Sequence, residues 1–250
     1  MPITLIKQKP DFTKTVEGEN KFAISEMFSF TLQGEGISTG IPSTFIRLQG
    51  CTLKCTYCDT LDVWTQGNEY SFEEIFNLFE QNNVINSFRR GDHLIFTGGS
   101  PLKQQTAIIR FISQFKNRYG FKPYIEVENE AVLMPSLELL SVIDQWNNSP
   151  KLANSGMKEK ARLKPEVLTT LSRISNSWFK FVITSEDDWN EIKKDFLPHI
   201  NRNQIILMPE GQNREELEKT RELTADLVIR EGLKYCDRQH IVLWDKKTGV

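Results

Sequence analysis

Long apolar runs are missing from this chain. No stretch approaches the ~20 residues that a membrane-spanning helix needs, so no membrane partner is expected. Basic excess is missing too: the net charge is −2, which gives no argument for a nucleic-acid partner. Cysteine is scarce, with 4 in 250 residues, too few for a disulfide framework. There is no internal repeat and no low-complexity linker, so solenoids and linker-joined arrays are not expected. Residues 1–20 mix Lys, Asp, Glu and Pro and do not read as a secretory signal. What is left is one large domain with a substantial core, expected in a reducing cytoplasm.

The few cysteines are not scattered. Three of the 4 fall in Cys51-Thr-Leu-Lys-Cys55-Thr-Tyr-Cys58, a C-x3-C-x2-C triplet. Thiolates crowded in this way repel one another unless a metal holds them. A [4Fe–4S] cluster normally takes four cysteines, so three leave one iron open to another ligand. In radical enzymes that ligand is S-adenosylmethionine, bound through its amino and carboxylate groups. The competing reading is a structural zinc, with Cys236 or His240 as fourth ligand. It is disfavoured by the absence of a second C-x2-C hook.

Around the triplet, strand and helix patterns alternate. Residues 43–49 read as a strand, with a further strand at 24–28. Ser71 followed by Glu74 is a capping box that opens a helix with Phe72, Ile75, Phe76 and Phe79 on one face. Strands are expected at 93–97, 123–128, 178–184, 204–208 and 240–244, and helices at 104–119, 135–146, 186–197 and 214–230. This alternation predicts an α/β fold: parallel strands with outer helices, curled into a partial or modified (β/α) barrel. Chemistry in such folds gathers at the C-terminal ends of the strands. The triplet falls there, as does Thr97-Gly98-Gly99-Ser100-Pro101, a loop read as a ligand cradle. Glu126 and Glu128 share one face of their strand and need partners if that face is interior. Arg47 lies on the polar side of its strand, where it can fork onto a carboxylate. The basic stretch Lys151, Lys158, Lys160, Arg162 and Lys164 reads as a solvated face.

Taken together, Leu32-Gln33-Gly34-Glu35-Gly36, Phe45-Ile46-Arg47, the triplet with Asp59-Thr60, Gly98-Gly99, Ile125-Glu126, Ser149-Pro150-Lys151 and the stretch from His240 to Val250 resemble the 7-carboxy-7-deazaguanine synthase family of radical S-adenosylmethionine lyases. The resemblance covers residues 24–250, leaving 1–23 as an N-terminal extension. It implies ring contraction of 6-carboxy-5,6,7,8-tetrahydropterin to 7-carboxy-7-deazaguanine with loss of ammonia. Cys51, Cys55 and Cys58 would hold the cluster. Tyr57, Asp59, Gly98, Gly99, Ser100, Glu126, Glu128, Ser149, Pro150 and Lys151 would face S-adenosylmethionine. Leu32, Gln33, Gly34, Glu35, Arg47, Thr97, His240 and Val250 would meet the pterin, and Thr60 a Mg2+ ion. A homodimer and an electron donor such as flavodoxin or ferredoxin are implied as partners.

The chain departs from the family pattern at two sites. Ser100 stands where many members have Glu, and Val127-Glu128-Asn129-Glu130 replaces the usual Thr-(Ser or Asn)-Gly-Thr. The rival within radical chemistry is an activase acting on a glycyl-radical partner protein, which would share the triplet and the Gly-Gly loop.

Overall fold

The computed structural model describes residues 20–56, 58 and 67–247. The calls on Tyr57, Asp59, Thr60 and Val250 lie outside these residues. Its frame is a single sheet of 9 strands. The strands are β1 (Lys21–Leu32), β2 (Pro42–Leu48), β3 (Asn68–Ser71), β4 (His93–Gly98), β5 (Tyr124–Asn129), β6 (Gln145–Asn148), β7 (Ser177–Ile183), β8 (Ile205–Pro209) and β9 (Lys234–Tyr235). Their order across the sheet is β3-β1-β2-β4-β5-β6-β7-β8-β9. β1 runs antiparallel to both its neighbours, and every pair from β2 to β9 is parallel. The sheet is not closed on itself, which makes it a partial barrel.

The outer helices are α1 (Phe72–Gln81), α2 (Val84–Arg89), α3 (Gln105–Tyr119), α4 (Leu137–Val142), α5 (Glu159–Arg162), α6 (Pro165–Ser172), α7 (Glu186–Glu191), α8 (Arg214–Glu231) and α9 (Gln239–Trp244). The capping box of α1 forms as read: Ser71 Oγ accepts the Glu74 N–H at 3.2 Å, and the Glu74 carboxylate accepts the Ser71 N–H at 2.7 Å. Gly120 ends α3 in the left-handed region, which a residue without Cβ enters without strain. The core between sheet and helices is aromatic, and Phe111 is its hub. Its ring lies 5.3 Å from Phe22, 5.2 Å from Phe72 and 4.9 Å from Phe76.

Two expected elements are different. Residues 135–146 are not one helix: α4 ends at Val142 and β6 starts at Gln145. All four residues of β6 are buried, and three are amides, so a central strand carries none of the apolar pattern that would reveal it. Residues 240–244 lie in α9, not a strand. A short apolar run does not distinguish the two by itself.

Near the end of β1 the pairing with β2 slips between Phe28 and Thr31, and Phe30 takes a φ of 61°. Such a bulge bends the strand just before the turn carrying Gln33, Gly34 and Glu35. This turn is tied there to the segment that follows β9 and to the start of α9. Gln239 N–H donates to the Gly34 carbonyl at 2.8 Å, and Gly36 N–H to Cys236 Sγ at 3.1 Å.

Candidate active site

The parallel strands deliver their C-terminal ends to one cavity of about 630 Å3. Cys51, Cys55 and Cys58 line it together, each half-buried. The loop that carries them follows β2 and is tied down on two sides. Thr56 N–H donates to the Ser155 carbonyl at 3.0 Å, and Thr52 N–H to Ser100 Oγ at 2.9 Å. Burial pushes the Cys51 thiol above its ordinary range, with the nearby Glu130 carboxylate adding to it. Burial raises Cys55 as well, while Lys151 pulls it back down. Among the described residues no three His, Cys, Asp or Glu side chains are gathered tightly enough for a single ion. Cys236 does not line the cavity; it takes the Gly36 N–H, and burial raises its thiol to about 11.

The Gly-Gly loop is built for close approach of backbone. A Cβ on Gly98 would run into the Leu48 carbonyl, and one on Gly99 into the Gly50 carbonyl and Cys51 Cβ. Ser100 N–H then donates to the Gly50 carbonyl at 2.9 Å. The glycines thus fasten the β4 loop to the cysteine loop, and Gly98 and Gly99 also form part of the cavity wall.

Another part of the wall is charged and paired. Glu35 forms an ion pair with Lys180 from β7 and accepts from Arg238 Nε at 2.8 Å, with His240 Nε2 at 4.0 Å. Burial alone would raise the Glu35 carboxyl, but Lys180 and Arg238 beside it hold it well below the usual range. Lys180 is buried, and the same pairing outweighs its burial and holds its ammonium well above the usual lysine range. Arg47 Nε donates to Glu26 at 2.7 Å. Glu128 accepts from Gln33 Nε2 and from Thr97 Oγ1, both at 2.9 Å. Phe28 and Phe45 stack at 4.9 Å on an apolar part of the wall.

The family model of the 4Fe-4S single cluster domain matches residues 32–144. A 7-carboxy-7-deazaguanine synthase of Pyrobaculum aerophilum is 32% identical, over 90% of this chain and 96% of its own. The chain belongs to the 7-carboxy-7-deazaguanine synthase family. Members from Halobacterium salinarum and Rhodopirellula baltica are 28% and 30% identical, covering 89% and 93% of this chain and 90% of each relative. The crystal structure of QueE from Escherichia coli shares the fold, with a TM-score of 0.65 over 90% of this chain and 96% of that one, at 21% identity.

Most positions singled out by resemblance to the synthase family meet at this cavity: Leu32, Gln33, Gly34, Glu35, Arg47, Thr97, Glu128, Ser149, Lys151 and His240 line it with the cysteines. Three do not. Glu126 is fully buried, and its carboxylate is already taken by Ser38, Gln145, Asn147 and His93. Ser100 is fully buried, its hydroxyl used by Thr52 and Glu130. Pro150 is buried outside the lining. The basic stretch is not wholly solvated either: Arg162 is buried, donates to the Lys151 carbonyl at 3.1 Å and pairs with Glu191. Sequence reading passed over Glu26, Lys180 and Arg238, and gave Glu130 no role of its own. A lysine inside the apolar run Trp178-Phe179-Lys180-Phe181-Val182 was a usable signal for one of them.

Proposed function

We propose that the chain catalyses the radical ring contraction of 6-carboxy-5,6,7,8-tetrahydropterin to 7-carboxy-7-deazaguanine with release of ammonia. The observation that carries this reading is the meeting of three thiols, the Gly-Gly loop and the Gln33–Glu35 turn around one cavity in a chain of this family. Cys51, Cys55 and Cys58 would hold a [4Fe–4S] cluster, leaving one iron without a protein ligand. When bound, the cluster and S-adenosylmethionine supply one-electron radical chemistry.

The chain's own groups bind and orient. Gly99, Ser149 and Lys151 would face S-adenosylmethionine, with the Lys151 ammonium held by Ser149 Oγ at 3.0 Å. Glu128, not the enclosed Glu126, is the carboxylate that can reach the ribose hydroxyls. Glu35 stays ionised because of Lys180 and Arg238, so it can accept from the amino-pyrimidine edge of a pterin beside Gln33. Arg47, aimed by Glu26, would meet the substrate carboxylate, and Phe28 and Phe45 would exclude water. Thr60 would ligate Mg2+, with His240 and Val250 near the substrate. An electron donor such as flavodoxin or ferredoxin, a homodimeric state and a cytoplasmic location belong to the same reading.

Anaerobic turnover of the reconstituted chain with S-adenosylmethionine, a reductant, Mg2+ and the carboxypterin, followed by mass spectrometry, tests it. 7-Carboxy-7-deazaguanine should appear and vanish with Cys55→Ala. 5′-Deoxyadenosine without that product would leave the radical assignment and sink the substrate. Thr60→Ala should sharply reduce turnover and blunt its response to Mg2+; an unchanged Mg2+ titration would remove Thr60 as a ligand.

A further inference from the structure

The Gly-Gly loop and the end of β5 meet in space. Glu130 follows β5 and lies beside Ser100. Its Oε1 accepts from Ser100 Oγ and from Thr52 Oγ1, both at 2.7 Å. Its Oε2 is buried and has no hydrogen-bond partner. The residue is 5% exposed, yet forms part of the cavity wall with Cys51 and Gly99. Among the described residues no Lys, Arg or His forms an ion pair with it. A buried carboxylate held by two neutral hydroxyls, with one oxygen unanswered, is costly unless a cation arrives.

We infer that Glu130, steadied by Ser100 and Thr52, binds the α-ammonium of S-adenosylmethionine. The inference rests on the proposed function, which puts that cofactor over the triplet. A divalent metal fits this corner less well, since Mg2+ and Ca2+ gather several oxygen ligands and, of the hydrogen-bonded groups here, only Glu130 is a carboxylate, its neighbours Ser100 and Thr52 being neutral hydroxyls. An alkylammonium needs less: its charge and three N–H donors are met by one carboxylate and nearby carbonyls. Ser100 is thereby a positioning residue that does not itself reach the cavity, and the carboxylate it orients comes from the next strand.

The test is a ligand–protein double cycle, read by calorimetry on the anaerobically reconstituted full chain. The ligands are S-adenosylhomocysteine and its analogue lacking the α-amino group. Glu130→Gln should weaken S-adenosylhomocysteine binding by about tenfold to a hundredfold, as for loss of a charged hydrogen bond, and the deaminated analogue by less than about twofold. Iron content and the cluster's visible absorption should match wild type. Thr52→Val, which removes one hydroxyl from Oε1 and leaves the carboxylate in place, should lower the preference for the amine several-fold; it decides the matter if Glu130→Gln loads no cluster. Equal loss for both ligands, or none, would overturn the inference while leaving the function standing. Wild-type protein that carries its cluster and binds neither ligand would overturn both.

Discussion

Glu35 and Lys180 are a buried pair on the cavity wall, and Glu35 is the ion-pair partner that balances the Lys180 ammonium there. Removing one partner of such a pair leaves the other charge uncompensated and typically costs about 3–5 kcal/mol. Glu35→Gln should therefore lower unfolding free energy by roughly that amount, measured by urea titration, with Arg238 and His240 loosened as well. The depressed carboxyl contributes stability that is present above its unfolded value, about 4.5, and is lost only as pH falls through the lower folded value. Lys180, raised in the fold, contributes stability present below its unfolded value, 10.5, and lost at more alkaline pH. Wild-type stability should thus show no step from this pair between about pH 5 and 10. A step in that window that disappears in Glu35→Gln would contradict the pairing. Gly99 is a second sensitive residue. A methyl there meets Cys51 and the Gly50 carbonyl, so Gly99→Ala should cut iron incorporation, read by metal analysis, while far-UV circular dichroism stays unchanged.

Among the elements, α1 and α3 hold the sheet through Phe111, which touches four other phenylalanines in the core at 4.9 to 6.0 Å. Phe111→Ala should destabilise by about 3–5 kcal/mol, with a fall in midpoint and an unchanged denaturant slope. These helices were legible from the sequence because their signals are local: a capping box at Ser71 and Glu74, an apolar stripe, and a glycine stop at Gly120. β6 was not, because Gln145, Asn147 and Asn148 are buried by what surrounds them and not by their own hydropathy. The candidate site divides along the same line. The triplet and Gly98-Gly99 are contiguous motifs. Glu130 and Arg238 acquire meaning only from residues 30 and 203 positions away.

For the whole molecule, parallel pairing from β2 to β9 carries each strand's C-terminal end to one edge. The cavity is therefore assembled from nearly the full length of the described chain. No helix among the described residues is long and apolar enough to cross a membrane.

The tie between the turn after β1 and residues 236–239 has a consequence in time. Gly36 and Cys236 are 200 positions apart, and Glu35 and Arg238 are 203. Contacts so distant in sequence form late and slowly. A chain emerging from a ribosome presents its three thiols long before Arg238 and His240 exist to complete the cavity wall. The wall that carries the ionised Glu35 is therefore completed only after residues 236–240 have been made.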